Sequence, residues 1–317
     1  MGTRPAGPDL AAVTSLSAGA RRWIGRHCGY LDDPSGRAEL PLTPRVKALL
    51  QLALLHRAWT KADPADPDLA GVAATLGRVW RSPDHPRLLT AEPRYARQFQ
   101  LMYGALAPAG LAADGPHRAA LAEAVAGDFL TPRRKSPFLQ LETRYYAELA
   151  GAPHRLADYP ELYRMSRLAA HTDERPLAEL DVCNVTHTVF HLADFGFRNP
   201  GLDAADLAHV RDRVQRLTEQ CVRRGEWDLT GKLLLAQYCL GLDPSATPSG
   251  AAGLRLLAEA QAPDGAIPGR SADDRAGADA GPVAHFRASY QSTLVVALAT
   301  VVLLHTRDAV PATAGAR

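Results

Sequence analysis

The 317-residue sequence predicts an all-α protein, and three observations support this class. Apolar residues recur at spacings of three and four along the whole chain, as they do on the buried face of a helix. The alternation of apolar and polar residues that is typical of strands is nearly absent. Clusters of Pro, Gly and Asp interrupt the helical pattern at intervals, and such clusters end one helix and begin the next.

These turn clusters divide the first half of the chain into six predicted helices. The helices cover 9–30, 44–59, 67–81, 92–106, 116–130 and 137–150. The clusters that bound them are Asp32-Asp33-Pro34-Ser35-Gly36, Asp63-Pro64-Ala65-Asp66-Pro67, Ala107-Pro108-Ala109-Gly110 and Gly151-Ala152-Pro153.

The second half contains six more predicted helices, interrupted at Asn199-Pro200-Gly201 and Asp243-Pro244. They cover 160–171, 180–196, 203–224, 227–241, 249–262 and 283–305. Taken in pairs, the twelve helices form six hairpins that start roughly 43 to 58 residues apart, a spacing typical of two-helix units. Six hairpins can stack as an open helical solenoid or close into an α/α toroid with six inner and six outer helices.

Differences in charge among the later helices favour the toroid. The helix 203–224 is charged over much of its surface, which suits an outer position, whereas 180–196 and 227–241 carry few charges. The helix 283–305 is apolar nearly all round in its second half, so we expect it inside the ring as well. We therefore predict one toroid domain over the whole chain, with flexible ends at residues 1–8 and 307–317.

Composition excludes several classes of protein. The chain is 46% hydrophobic and 22% charged, as ordered globular proteins are. Its net charge of +2 gives no global attraction to nucleic acid or to an anionic membrane. Four cysteines without a CxxC pair fit neither a disulfide scaffold nor a zinc ribbon, so we expect a reducing, cytoplasmic location.

Neither export nor membrane insertion is predicted. Pro, Asp and Arg interrupt the N-terminal segment where a secretory signal needs an apolar core. The most apolar run, from Leu294 to Leu304, is 11 residues long. A bilayer span needs about 20, so we expect a buried helix here.

The segment from Asp181 to Gly196 carries the most informative polar residues. If it is helical, four of them share one face: Asn184, His187, His191 and Asp194. An exposed face normally carries long charged side chains, and these are short polar ones. The stripe is therefore predicted to line a cavity or a packed polar seam.

Three interpretations of this polar stripe remain open. A carboxylate such as Asp194 or Asp228 can orient an imidazole, which makes His187 and His191 candidate acid/base residues. Two histidines four residues apart also suit a metal, and we name as candidate zinc ligands Asp181, Cys183, His187, His191 and His285. In the third interpretation the histidines are structural and hydrogen-bonded between helices.

Lys232 is the only cation between Leu229 and Leu242. If it is buried it needs an acidic partner, and Asp228 lies four residues earlier on the same face. An inward Lys232 would bind a substrate anion or activate a carbonyl group. The alternative is a lysine that reaches the rim and an Asp228 that only complements the helix dipole.

Other helices offer further candidate substrate-binding residues. Glu142 and Tyr145 lie together where aromatic and charged residues alternate, and Tyr290 and Gln291 lie in the polar first half of the last helix. Aromatic rows at helical spacing can also be core packing alone.

The late hairpins are similar to those of the terpenoid-cyclase and protein-prenyltransferase toroid superfamily. Gln261-Ala-Pro-Asp264-Gly265 resembles the Gln-x-x-Asp-Gly turn that closes its hairpins, and Ser289-Tyr290-Gln291-Ser292 resembles the start of its last inner helix. The resemblance implies the toroid fold, and Asp181-Val-Cys183 is similar to the zinc-binding Asp-x-Cys pair of the prenyltransferases. Gln291 stands where that resemblance would put the ligand histidine, so only the fold is carried over.

Three functions follow as expectations. The first is a bacterial biosynthetic enzyme that performs acid/base or cyclisation chemistry on a small molecule or peptide in the toroid cavity. The second is a metal-dependent peptide cyclase or transferase. The third is a non-catalytic helical binding protein. No phosphate-binding loop, dinucleotide fingerprint or nucleophile elbow supports ATP, NAD or acyl-serine chemistry, and the sequence does not indicate the oligomeric state.

Overall fold

The computed structural model describes residues 10–32, 40–90, 96–111, 115–132, 135–170, 179–275 and 281–309. Within these ranges the chain is helical and contains no strand, which confirms the all-α class. There are thirteen α-helices: α1 Leu10–His27, α2 Leu42–Ala62, α3 Pro67–Arg81, α4 His85–Thr90, α5 Ala96–Ala105, α6 Gly115–Ala126, α7 Pro137–Leu149, α8 Tyr159–Arg164, α9 Glu179–Leu192, α10 Ala204–Arg223, α11 Trp227–Cys239, α12 Pro248–Ala260 and α13 Pro282–Ala309.

The turn clusters begin helices through side-chain caps. Asp66 accepts a hydrogen bond from the amide of Asp68 at the start of α3, and Pro67 occupies the first turn. Asp203 and Thr247 cap α10 and α12 in the same way. These caps satisfy amides that have no partner inside the helix.

One helix, the short α4, was not predicted, and two predicted helix ends were wrong. The helix predicted to continue to 171 ends at Arg164, and α9 ends at Leu192 rather than at 196. The break after α9 has a backbone cause, because Asp194, Phe195 and Gly196 all have positive φ angles (46°, 55° and 96°), which a right-handed helix cannot contain.

Six helices contact one another in a closed cycle: α2, α5, α7, α9, α11 and α13, the last of which contacts α2 again. Six others pack against this cycle from outside: α1, α3, α6, α8, α10 and α12. The first and last helices of the chain, α1 and α13, also contact each other. An open solenoid keeps its two ends apart, so we infer that this arrangement favours the toroid.

The positions of the later helices agree with their charge. Every residue of α11 except Tyr238 is buried, as expected for an inner helix. In α10 the buried residues lie along one face, and its charged residues lie mostly on the other. Gly231 lies where α11 and α13 approach each other closely, since a Cβ there would be 2.8 Å from Val295 Cγ1.

By length and composition α13 could cross a membrane, with a mean hydropathy of 1.5 in its most apolar window. However, 67% of that window is buried inside the protein, and α13 contacts α1, α2 and α11. This burial is typical of a core helix. The helix is much longer than the run from Leu294 to Leu304 alone.

The Gln-x-x-Asp-Gly turn joins the end of α12 to both neighbours. Gln261 Nε2 donates to the carbonyl of Leu16 in α1 (3.0 Å) and to that of Gly265 (3.0 Å). Asp264 Oδ2 lies 3.0 Å from His285 Nε2 at the start of α13. The turn therefore connects α1, α12 and α13.

The predicted flexible ends lie outside the described residues, except that α13 extends to Ala309.

Candidate functional site

The polar stripe of α9 lies inside the protein, and none of its four residues is exposed. His191 is 2% exposed and packs against the rings of Tyr145 and Tyr146 from α7, with ring centroids 5.0 and 5.8 Å away. His187 is half-buried and its ring lies 6.1 Å from that of His191. Asn184 is also half-buried, and its backbone carbonyl accepts a hydrogen bond from Thr188.

Both histidines are held in the neutral form. Burial and the neighbouring ammonium of Lys232 together lower the pKa of His187 to about 4. Burial and the neighbouring His187 hold the pKa of His191 well below its ordinary value. The Nδ1 atom of His191 is buried without a hydrogen-bond partner among the described residues.

Asp194 does not complete the stripe as predicted, because α9 ends before it. Its carboxylate accepts two hydrogen bonds from Arg57 of α2 (2.8 and 3.0 Å) and one from the Tyr145 hydroxyl (2.7 Å). Lys61 Nζ lies 3.7 Å away. In the described part of the chain no hydrogen bond joins Asp194 to His191, so the predicted pairing of these two residues is wrong.

A buried charged cluster lies on the neighbouring inner helix. Lys232 Nζ lies 2.7 Å from Asp228 Oδ2, with side chains that are 8% and 1% exposed, so the predicted ion pair is confirmed. Gln291 of α13 donates to the same oxygen (3.2 Å), and a nitrogen of Arg270 lies 3.6 Å from it. Lys232 Nζ also lies 3.7 Å from Cys183 Sγ of the adjacent helix α9.

The electrostatics of this cluster favour a charged lysine. Burial alone would lower the pKa of Lys232, but attraction to Asp228 outweighs it and the pKa is raised. One oxygen of Asp228, Oδ1, is buried and has no hydrogen-bond partner in the described residues. A buried carboxylate oxygen without a donor is costly in free energy.

A surface pocket of about 440 Å³ opens beside this cluster. Its lining residues are Arg270, Asp274, Ala284, Arg287, Ala288, Tyr290 and Gln291. Two of them, Arg270 and Gln291, also contact Asp228, so the carboxylate lies directly behind the pocket wall. A larger depression of about 630 Å³ along α1 is lined by small and aliphatic residues with one arginine, and it brings no reactive groups together.

Glu142 is a buried residue of α7, and its pKa is also strongly shifted. Burial raises its pKa to about 7, partly offset by Lys47 of α2. Its carboxylate accepts a hydrogen bond from Gln98 of α5. Glu142 therefore changes its protonation state around neutral pH rather than in acid.

The candidate zinc ligands are not brought together. Asp181 pairs with Arg167 (3.3 Å), and His285 pairs with Asp264. Among the residues that the structure describes, no group of three His, Cys, Asp or Glu side chains could hold a metal. The residues present therefore do not fit a zinc site.

Two site residues were missed by sequence reasoning. Arg57 interrupts an apolar helix between Leu55 and Trp59, and such a lone cation in a buried segment was an available signal. Arg270 follows α12 in an irregular segment, and nothing local indicates that it would reach Asp228.

Comparison with known proteins gives one match. A family model described as a domain of unknown function (DUF6895) matches residues 17–301. No curated protein and no solved structure matches the chain.

Proposed function

Because the chain belongs to the DUF6895 family, a domain of unknown function, we propose its function from the site geometry: an enzyme that performs acid/base chemistry on a small molecule. The substrate binds in the pocket beside Asp228 and Lys232. The observation that carries this proposal is the buried 2.7 Å ion pair directly behind the pocket wall.

The buried ion pair is better explained by a catalytic role than by a contribution to stability. Removing two charges from water costs free energy that their attraction does not reliably return, so a buried pair contributes little net stability. Here one oxygen of Asp228 also lacks a donor among the residues that the structure describes. A substrate hydroxyl or amine that donates to this oxygen would remove the deficit, and perturbed groups beside a cavity are typical of active sites.

The pocket lining supports an anionic substrate. The wall contains two guanidinium groups, from Arg270 and Arg287, and one carboxylate, from Asp274, so its net charge is positive. Guanidinium binds carboxylate or phosphate through paired hydrogen bonds. Tyr290 offers a ring for a flat or apolar part of the molecule. A small carboxylic acid, or the carboxylate end of a peptide, has both features.

His187 and Lys232 supply complementary proton chemistry. With a pKa of about 4, His187 is neutral at pH 7 and is a weak base, so it can accept a hydrogen bond from a substrate donor. Lys232 is charged and can stabilise negative charge that develops on a substrate oxygen. We keep as the reaction class the biosynthetic cyclase or transferase chemistry expected from the sequence, and we assign the protein to the cytoplasm.

The test is turnover in a complex mixture of metabolites. Purified protein is incubated with a fractionated cell extract, and mass spectrometry follows substrates that disappear and products that form. We expect one anionic metabolite to be converted, at least about 100-fold more slowly by Lys232→Met, as is typical when a catalytic electrostatic group is lost. Arg216→Met, on the exposed face of α10, is the control and should retain full turnover.

Two outcomes would overturn the proposal. A metabolite that binds but is recovered unchanged would favour the alternative of a non-catalytic binding protein. Equal turnover by wild type and Lys232→Met would remove the ion pair from the mechanism.

A further inference from the structure

We propose that Cys183 is a nucleophilic thiolate that accepts an acyl group from the molecule in this site. The acyl step rests on the proposed function, whereas the reactivity of the thiol can be measured without knowing the substrate. The argument starts from the four cysteines, none of which forms a disulfide.

Three of the four cysteines are inert by environment. Cys28, Cys221 and Cys239 are buried, and burial raises the pKa of each thiol. Cys183 is half-buried, so unlike the other three it has surface open to solvent. The chain therefore provides three internal controls for one accessible thiol.

Cys183 is also the cysteine that contacts a cation. Lys232 Nζ lies 3.7 Å from its sulfur, and an adjacent ammonium favours the thiolate over the thiol. Ionisable groups near it include Asp228, which holds the far side of the same ammonium, His187 one turn along α9, and the buried Cys221 of α10. Arg270, 3.6 Å from the same Asp228 oxygen, adds a second positive charge beside the Lys232–Asp228 pair.

Lys232 supplies a hydrogen-bond donor beside the sulfur, and Gln291 donates to the same Asp228 oxygen that Lys232 contacts. Nucleophilic attack on an acyl carbon places negative charge on its oxygen, and hydrogen-bond donors that point at this oxygen lower the barrier. Lys232 Nζ, close to the sulfur, and Gln291 Nε2, which also binds Asp228, are two such donors. This combination suits an ester or thioester substrate.

The step balances as an acyl exchange. The thiol loses its proton to solvent, the sulfur electron pair forms the bond to the carbonyl carbon, and the bond from that carbon to the leaving group breaks. The leaving group departs with the bonding pair and takes one proton from solvent. The products are an acylated Cys183 and the protonated leaving group, with no change in oxidation state.

The first experiment measures thiol reactivity with iodoacetamide on the folded, full-length protein. Peptide mass spectrometry follows each cysteine separately. We expect Cys183 to be alkylated at least about tenfold faster than the other three at pH 7, because the thiolate is the nucleophile. Lys232→Met should slow the labelling of Cys183 about tenfold and shift its rate profile to higher pH, while Lys232→Arg, which keeps the charge, should restore it.

The second experiment supplies an acyl donor, the acetyl thioester of N-acetylcysteamine. The intact wild-type protein should gain the mass of one acetyl group on Cys183, and Cys183→Ala should gain none. Arg216→Met is again the control for both experiments, because its side chain lies on the exposed face of α10.

The outcomes separate this inference from the proposed function. Labelling of Cys183 no faster than that of Cys221, or unchanged labelling in Lys232→Met that remains folded by circular dichroism, overturns the inference. Full metabolite turnover by Cys183→Ala also overturns it and leaves the proposed function standing. Rapid acetylation of Cys183 without any metabolite turnover would support the thiolate while the proposed function fails.

Discussion

Arg57 of α2 and Asp194, in the turn that follows α9, form a bidentate salt bridge. The two guanidinium nitrogens lie 2.8 and 3.0 Å from the two carboxylate oxygens. Burial alone would raise the pKa of Asp194, but the hydrogen bonds from Arg57 and Tyr145 outweigh it and the pKa is lowered. This contact joins an early inner helix to the middle of the chain, 137 residues later.

We expect Asp194→Asn to lower the free energy of unfolding by about 1 to 3 kcal/mol at pH 7, because it leaves Arg57 partly buried without its charge partner. The folded pKa of Asp194 lies below the unfolded one, so its stabilisation is present above about pH 4 and is lost as the pH falls. Urea unfolding at pH 7 and pH 3 measures this. An equal loss at both pH values would contradict it.

Lys232→Met should destabilise the protein by about 3 to 5 kcal/mol, since Asp228 then remains buried and charged. The double variant Asp228→Asn with Lys232→Met should recover a large part of this loss. Asp212 and Arg216 form an ion pair with the same four-residue spacing on the exposed face of α10, and they provide the matched control. Double-mutant cycles by urea unfolding should give a coupling of about 1 to 3 kcal/mol for the buried pair and below about 0.5 for the exposed one.

His191→Phe should leave the free energy of unfolding unchanged at neutral pH and make it fall less as the pH is lowered. His191 packs among aromatic rings, so phenylalanine fits the same space. The lowered pKa means that only the unfolded chain takes up a proton here as the pH falls below about 6.5, which favours unfolding by up to about 1.4 kcal/mol per pH unit. Unfolding free energies between pH 7 and 5 should fall less in His191→Phe than in wild type, and an identical fall would rule out a buried neutral histidine.

Glu142→Gln should stabilise the protein more at pH 8 than at pH 5. The folded pKa, raised to about 7, lies above the unfolded one, so the stability contributed by Glu142 is complete below about pH 4 and is lost as the pH rises through 7. Glutamine carries no charge at either pH and can still bond to Gln98. Thermal melts at both pH values test this, with the exposed Glu123→Gln as the control that should show no such difference.

Gly265→Ala should cost roughly 3 kcal/mol or more, through steric overlap and a strained backbone. Gly265 has a φ of +101°, and a Cβ there would lie 2.2 Å from the carbonyl oxygen of Gly19 in α1. Gly71→Ala, at an exposed position within α3 with only ordinary contacts, should instead stabilise the protein by about 0.5 to 1 kcal/mol. Similar unfolding free energies for the two variants would contradict close packing at this turn.

Local signals predicted most of the helices and one site contact. The turn clusters lie between helices because Pro and Asp end or begin a helix through the backbone a few residues away, as the caps at Asp66 and Asp203 show. The sequence indicated the Asp228–Lys232 contact because residues four positions apart lie on the same face of a helix. The end of α9 was missed, since no proline marks it and Asp194 itself adopts the left-handed conformation.

The sequence by itself determined the all-α class, and the four-residue spacing of Asp228 and Lys232 indicated that the two could pair. Only the tertiary structure decided that Arg57 rather than a histidine binds Asp194, that Cys183 lies beside Lys232, and that the candidate zinc ligands lie apart. The physical reason is the sequence separation of the interacting residues. Helix periodicity and capping are set by residues a few positions apart, whereas these contacts join residues 49 and 137 positions apart and depend on how whole helices pack around the ring.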